Sequence, residues 1–313
     1  MFFWITLAVL AQCINAGVAV VDKYIVTSEK ILPRPFVYAF YSCVFAGAWV
    51  FVFLLGTVPI PFLHTLGIPT LVHVSYPTLD IAALSLLSSY TFFIGLVSLY
   101  SALKSADASD VVPVVGAVSA VVSFGLGYFF LDAHLTPNFL VGLLLLSMGT
   151  FLVSHLRFNW KTALTCLHSG IFFAIYYVVL KGLFNHTSFD NGFFWSRVSF
   201  FVVALSMLLV PHWFEKVHTQ TKATNRKGGL LVLANKFFAG IGSILILKAT
   251  ALGSVPIVQA LGGLQFVLIL LFGLFWGHCI PPECGENLKR PHEVYHKVIF
   301  TAMITVGFCV LFV

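Results

Sequence analysis

Two stretches of the sequence decide the fold of this chain: Leu99–Phe130, LYSALKSADASDVVPVVGAVSAVVSFGLGYFF, and Ile244–Trp276, ILILKATALGSVPIVQALGGLQFVLILLFGLFW. In both, an apolar segment ends in Leu-Lys, a short Ala/Ser-rich turn follows, and a Val-Pro step opens a long apolar segment. Lys104 of the first stretch matches Lys248 of the second, and the proline matches with a slip of one residue. This shared order predicts an internal duplication. The alternative is that any two pairs of apolar helices look alike.

The composition indicates that lipid, not water, surrounds most of the chain. Of its 313 residues, 59% are hydrophobic and only 9% are charged, whereas a soluble domain carries roughly 25% charged residues. These values exclude a water-soluble protein, a disordered chain and a disulfide-dense secreted module. At about 20 apolar residues per bilayer crossing, the length allows about ten helical spans.

Ten stretches are long and apolar enough to be such spans, and together they predict an all-α polytopic membrane protein. Five carry no charge, and the other five carry an isolated polar or charged residue. In chain order they are Met1–Val21, Pro35–Gly56, Ile81–Leu103, Val111–Leu131, Pro137–Ser154, Ala163–Leu180, Gly192–Val210, Gly229–Leu252, Gly253–Gly277 and Val298–Val313.

The duplication divides these ten helices into two five-helix repeats, residues 1–156 and 157–313. The starts of the two halves also correspond, since Lys23 closes the first predicted span and Lys181 closes the sixth. Because five is odd, the second repeat must sit upside-down relative to the first. Inverted repeats of this kind are typical of secondary transporters, whose substrate site lies between the repeats near the bilayer midplane.

These features resemble the drug/metabolite transporter superfamily, specifically proteins with two EamA-type repeats. The resemblance rests on the two Leu-Lys…Val-Pro segments, the ten spans and the two halves, and it covers nearly the whole chain. It implies a ten-helix carrier with a central cavity, exporting or exchanging amino acids, sugars, nucleotide sugars or other metabolites. Arg197, in FFWSR, fits a position where such repeats often carry Arg. The corresponding span of the first half, FVYAFYSCVF, has no Arg.

The basic residues predict an orientation for the chain in the cell membrane. The odd-numbered connections between spans hold thirteen Lys and Arg residues, whereas the even-numbered ones hold only two, Lys181 and Lys248. The positive-inside rule therefore places the odd connections in the cytoplasm and both termini outside. The thirteen are Lys23, Lys30, Arg34, Lys104, Arg157, Lys161, Lys216, Lys222, Arg226, Lys227, Lys289, Arg290 and Lys297.

Lys236 is the sharpest candidate for a functional residue. It follows Asn235 inside the eighth predicted span, about 10 Å from that span's start at 1.5 Å per residue. An ionisable group inside a membrane is costly and indicates a function by default. One interpretation is that Asn235 and Lys236 face a cavity and hold a carboxylate or phosphate. The other is that Lys236 extends to the near membrane surface.

Arg197, about two turns into the seventh span, is the second charged candidate. Its guanidinium can clamp a carboxylate or phosphate with two parallel hydrogen bonds. The alternative is a structural pair with Asp190 near the membrane surface.

Uncharged polar residues complete the predicted substrate site, because polar groups inside a bundle must find partners. They either line a polar cavity or hold helices together. For the tyrosine of the third span, an interface anchor is the competing interpretation. The full set of predicted substrate-binding residues is Lys236, Asn235, Arg197, Gln259, Asn15, Tyr90 and Tyr177.

No carboxylate is expected deep in any span, since Asp22 is placed at the end of the first. A proton-coupled exporter of cationic drugs would bury one, so that class is disfavoured and proton coupling through a carboxylate becomes doubtful. The loop of His278, Cys279, Cys284, His292 and His296 holds plausible metal ligands, but its spacing matches no zinc pattern closely. We predict no metal and no cofactor.

The function predicted from the sequence is a secondary membrane transporter that works by alternating access. Its substrate would be a small polar metabolite that could be anionic, such as an amino acid. The chain has no Gly-x4-Gly-Lys-Ser/Thr loop for ATP and neither of the hydrolase motifs Gly-x-Ser-x-Gly and His-Glu-x-x-His, so we expect no enzyme. The expected partners are a small-molecule substrate and the lipid bilayer, not nucleic acid, and a homodimer is left open. The alternative is a non-transporting membrane receptor or lipid-handling protein.

Overall fold

The structure is a computed structural model. It describes residues 3–56, 69–131 and 159–276, together with isolated positions between 140 and 148 and at 306. Within these residues the chain is all-helical and contains no strand. Its helices are α1 (Phe3–Thr27), α2 (Pro35–Gly56, with a 3-10 turn at Trp49–Phe51), α3 (Leu79–Ser105), α4 (Ala108–Phe130), α5 (Trp160–His186), α6 (Phe189–Leu208), α7 (Pro211–Ala223), α8 (Arg226–Leu252), α9 (Val255–Ala260) and α10 (Leu264–Trp276).

Seven of these helices are long and apolar enough to cross a membrane, namely α1 to α6 and α8. They coincide with seven of the ten predicted spans. The predicted span Gly253–Gly277 is divided into α9 and α10 by a 3-10 turn at Leu261–Gly263. The predicted spans Pro137–Ser154 and Val298–Val313 lie outside the described residues, apart from isolated positions.

The helices differ from the prediction at two places. Helix α1 does not end at Val21 but continues to Thr27, so that Asp22 and Lys23 are buried helical residues. The connection after α6 contains α7, which the sequence did not predict because its residues are mostly polar. Pro211 occupies the first turn of α7, where a missing N–H costs nothing. Trp213 then packs against Phe36 of α2, with ring centroids 5.6 Å apart.

Side chains at the helix starts fix where three of the long helices begin. The Thr78 hydroxyl accepts from the Ile81 N–H at α3, and the Ser188 hydroxyl accepts from the Asn191 N–H at α6. At α8, the Asn225 side chain accepts from Gly228 N–H at 2.6 Å. Each contact satisfies one of the N–H groups that a helix leaves without an internal partner.

The helices of the two halves are interleaved in the bundle. Helix α3 packs along α5, and α1 packs along α8; α2 lies against α6, and α4 lies against α5 and α9. Small residues allow these approaches. At Gly170 of α5, an added Cβ would lie 2.6 Å from the Val118 side chain of α4, so only glycine fits.

Two lysines connect helix ends in the two halves. The Lys23 ammonium of α1 donates to the carbonyl oxygens of Leu103 and Ala106 at the end of α3. The Lys181 ammonium of α5 donates to the Ala251 carbonyl at the end of α8, at 2.8 Å. Both place a positive charge at a helix C-terminus, where unpaired carbonyls and the helix dipole favour a cation.

Candidate functional site

A cavity of about 220 Å³ lies at the centre of the described bundle. Residues from α1 to α6 and from α8 to α10 line it. Aromatic and aliphatic side chains form most of its wall. The polar and charged side chains that line it are Gln12, Asn15, Asp22, Ser42, Tyr100, Ser119, Tyr177, Arg197, Lys236, Ser243, Gln259 and Gln265.

A buried ion pair forms one part of this lining. The Lys236 ammonium of α8 lies 2.9 Å from the Asp22 carboxylate of α1, and the two side chains are 4% and 8% exposed. The same carboxylate oxygen accepts from the Asn235 amide at 2.7 Å and from the Tyr38 hydroxyl. The expectation of no deep carboxylate was therefore wrong. It failed because α1 extends past Val21 and places Asp22 opposite α8.

Lys236 also contacts α3 and α2. Its ammonium donates to the Tyr100 hydroxyl at 2.9 Å and lies 4.0 Å from the centre of the Tyr38 ring. Ser42 is hydrogen-bonded to Tyr100 at 3.0 Å and donates to the Tyr38 carbonyl. Four helices thus hold the ammonium inside the bundle, so the interpretation that Lys236 extends to the membrane surface was wrong.

Arg197 of α6 is the most buried charged residue in the described structure, at 1% exposure. Its guanidinium lies between the rings of Phe193 and Phe200, 4.9 and 4.5 Å from their centres. Among the described residues it donates only to the hydroxyls of Tyr176 and Ser196, both at 3.4 Å. These contacts are longer than an ordinary N–H···O hydrogen bond of about 2.7–3.2 Å.

Arg197 forms no salt bridge with any carboxylate in the described part of the chain. The Asp190 carboxylate accepts from the Thr70 N–H at 3.2 Å, so the alternative of an Arg197–Asp190 pair was wrong. Helix α6 begins at Phe189 and carries Arg197 two turns deeper, beside Gly47 of α2. An added Cβ at Gly47 would lie 3.2 Å from the Arg197 carbonyl, so the glycine permits this close approach.

Amide side chains from α1, α9 and α10 form another part of the lining. The Gln12 amide donates to the Val258 carbonyl at 3.4 Å and accepts a hydrogen bond from Gln265. Ser119 of α4 donates to the Gln259 side-chain oxygen at 3.3 Å. The Gln259 amide nitrogen is buried and has no hydrogen-bond partner in the described structure.

Two glycines of α8 shape the cavity wall. An added Cβ at Gly240 would overlap the Trp49 indole, and one at Gly242 would lie 2.5 Å from the Asn15 side-chain oxygen. The α8 backbone therefore lies directly against both side chains. Trp49 and Asn15 are held at the cavity surface because neither glycine presents a side chain of its own.

Five of the seven predicted substrate-binding residues line the cavity: Lys236, Arg197, Gln259, Asn15 and Tyr177. Asn235 is buried behind the wall and holds Asp22. Tyr90 is 55% exposed on the outer surface of α3, and it is Tyr100 of the same helix that faces inward.

Asp22 is the important residue that sequence reasoning missed. A buried lysine requires a compensating charge, and this requirement was the signal that could have found Asp22. Among the described residues, no group of three His, Cys, Asp or Glu side chains could hold a metal ion. The loop from His278 to His296 lies outside the described residues.

Comparison with known proteins supports the fold. No family model matches the chain, and no curated protein sequence matches it significantly. Solved structures do match. One of them, described only as "Crystal structure of protein", has a TM-score of 0.63 and 17% identity over 98% of this chain and 96% of its own. At that identity the likeness shows a shared fold alone.

Proposed function

We propose that this protein is a secondary membrane transporter that carries a small polar, anionic metabolite by alternating access. One observation carries the proposal: a cavity lined by Asp22, Lys236 and Arg197 lies among seven helices of membrane-spanning length. A charge at mid-membrane costs at least about 2.5 kcal/mol, so three charged groups around one cavity favour a solute pathway.

The proposed architecture is two inverted five-helix halves, residues 1–156 and 157–313, which resemble EamA-type repeats. Corresponding contacts support it. If the two halves correspond, α1 matches α5 and α3 matches α8. The packing of α3 along α5 then matches the packing of α8 along α1, and both are extensive. In the same way, the contact of Lys23 with the end of α3 matches the contact of Lys181 with the end of α8. Transporters with such halves bind substrate between them, where this cavity lies.

Flux into reconstituted vesicles tests the function directly. The purified protein would be placed in liposomes preloaded with one unlabelled solute, and uptake of the same labelled solute would be followed. The panel would include alanine, glutamate, phenylalanine, lactate, 3-phenylpropanoate, 2-phenylethyl phosphate and glucose. We expect saturable counterflow of at least one anion. Tyr90→Phe, on the outer surface of α3, should leave this flux unchanged.

The rival function, a non-transporting receptor or lipid-handling protein, predicts a different result. Folded protein in sealed vesicles would then give no saturable uptake of any solute in the panel. That outcome would overturn the transport proposal, whereas flux that Arg197→Gln abolishes would support it.

We further propose a cell-membrane location with both termini outside. Lys104 at the end of α3 donates to the Pro33 carbonyl, and Thr224, between α7 and α8, donates to the Ile31 carbonyl, so these basic helix ends share one side of the bundle. The positive-inside rule assigns that side to the cytoplasm. A cysteine at Asn185, near the end of α5, should react with an impermeant thiol reagent added outside intact cells. Protection of this cysteine would reverse the orientation.

A further inference from the structure

The charged groups of the cavity do not cancel one another. Asp22 and Lys236 form an ion pair and neutralise each other. Arg197 has no carboxylate partner in the described structure and lines the same cavity. The described lining therefore carries one uncompensated positive charge, which a ligand with one negative charge would neutralise.

The hydrogen-bonding capacity of Arg197 is also mostly unused. A guanidinium has five N–H donors in a planar fork, and the Arg197 guanidinium carbon lies 4.9 and 4.5 Å from the ring centres of Phe193 and Phe200. Within the described part of the chain, the N–H groups of the fork make only the two 3.4 Å contacts with hydroxyls. A carboxylate matches such an edge with two parallel charge-assisted hydrogen bonds.

A second donor without a partner lies nearby. The Gln259 side chain is 7% exposed, and its amide nitrogen has no acceptor in the described residues although its oxygen accepts from Ser119. The Tyr177 hydroxyl interacts with the Gln259 side chain more loosely than a well-formed hydrogen bond, and it also lies near Arg197. Leaving a buried donor unpaired costs free energy, so an acceptor on a ligand would remove this cost.

The described lining has no carboxylate left unpaired that could bind a cationic group. The Asp22 oxygen that binds Lys236 also accepts from Asn235 and Tyr38. A substrate ammonium would have to displace Lys236 from this carboxylate. A phosphate dianion would bring two charges to the one uncompensated cation, and its second charge would remain unpaired.

The rest of the wall suits an apolar body. Phe45, Trp49, Phe92 and Phe173 line the cavity beside aliphatic residues. Its volume, about 220 Å³, is below the about 300–1,000 Å³ typical of sites for drug-sized ligands. A small molecule with one ring or one short hydrocarbon chain is therefore the best match.

We infer that the substrate class is a small monocarboxylate with an apolar body and no ammonium group, its carboxylate held by Arg197 and Gln259. The inference rests on the proposed transport function and specifies its substrate. The sequence suggested an amino acid as an example of the substrate. The inferred substrate is instead an acid without an α-ammonium group.

Calorimetric titration of the detergent-purified protein with four compounds tests this inference. The probes share a phenyl ring on a short chain and differ in their polar group: 3-phenylpropanoate, phenylalanine, 3-phenylpropanamide and 2-phenylethyl phosphate. Phenylalanine adds only an α-ammonium, and the amide removes only the charge. We expect 3-phenylpropanoate to bind roughly tenfold or more tightly than each of the other three.

Variants of the two donors locate the carboxylate. Arg197→Lys keeps the charge but removes the planar fork, and Gln259→Leu removes the unpaired amide. Each should weaken 3-phenylpropanoate binding, by roughly tenfold or more for Arg197→Lys and severalfold for Gln259→Leu. Neither should lower the thermal stability of the ligand-free protein, because neither removes a strong contact. Tyr90→Phe should bind as the parent does.

Several results would overturn the inference. Phenylalanine binding as tightly as 3-phenylpropanoate would show that a carboxylate of the protein is available to an ammonium. Tighter binding of the phosphate, or binding unaffected by both variants, would place the anion elsewhere. No binding of any probe would also refute it. Failure of the transport function differs from all of these, because it would appear as absent flux for every solute in the vesicle panel.

Discussion

The two cations of the cavity, Lys236 and Arg197, are equally well buried but have opposite surroundings. Lys236 contacts a carboxylate and a hydroxyl at 2.9 Å, supported by Asn235 and Tyr38. Arg197 has only two hydroxyls at 3.4 Å and two aromatic rings. A charge with all of its partners in the protein stabilises the fold, whereas a charge without them is available to a ligand. Burial alone would have treated the two residues as equivalent.

The largest effect that this comparison predicts is on stability. Lys236→Met leaves the Asp22 carboxylate buried without its counter-ion, and breaking a buried pair in this way costs about 3–5 kcal/mol. We expect a marked fall in the free energy of unfolding, measured by thermal unfolding of the detergent-purified protein.

The matched control is the double variant Asp22→Asn/Lys236→Met, which removes both charges. It should recover most of the stability that Lys236→Met loses. If Lys236→Met were as stable as the parent protein, the ion pair would not hold these helices together and the comparison would fail.

Gly240→Ala should have the next largest effect. The new methyl group would overlap the Trp49 indole, so α2 or the ring must move, and such overpacking costs about 1–3 kcal/mol. Gly125→Ala on α4 is the control, because no atom lies within 4 Å of its added Cβ. It should be neutral or stabilise the helix by up to about 1 kcal/mol. Equal thermal stability of the two variants would show that the α2–α8 approach is loose.

Tyr100→Phe tests the surroundings of Lys236 more gently. The substitution removes the hydroxyl that accepts from Lys236 and bonds with Ser42, while the ion pair with Asp22 remains. We expect a loss of about 1 kcal/mol of stability, the usual net value of one hydrogen bond. A loss comparable to that of Lys236→Met would mean that the hydroxyl, not the carboxylate, positions the ammonium.

Arg197→Met should change stability least, although it removes the most buried charge. The variant loses two long hydrogen bonds and the contacts with two rings but no longer buries an uncompensated cation, so we expect a net change within about 1 kcal/mol. Flux of the transported anion into vesicles should nevertheless be lost. Destabilisation as large as that of Lys236→Met would identify Arg197 as a structural residue and erase the contrast between the two cations.

Three predicted residues that line the cavity share one property. Lys236, Arg197 and Gln259 are polar groups inside long apolar segments, where the cost of burial singles them out in the sequence itself. The prediction that Tyr90 lines the cavity was wrong because tyrosine is also common on lipid-facing surfaces. Tyr90 and Tyr100 lie on different faces of α3, and which face points inward depends on the helices that pack against it. Asp22 was missed because its burial depends on where α1 ends, and hydrophobicity alone specifies helix ends poorly.

The sequence by itself determined that the chain forms long apolar helices, of which seven in the described residues are long and apolar enough to cross a membrane. Water cannot accommodate so many apolar side chains, and a backbone in lipid must satisfy its own hydrogen bonds within helices. Seven of the predicted spans are long helices for this reason. The tertiary structure alone decided which charge is paired. Asp22 and Lys236 are separated by more than 200 residues, and only the packing of α1 along α8 brings them together, whereas Arg197 has no carboxylate partner among the described residues.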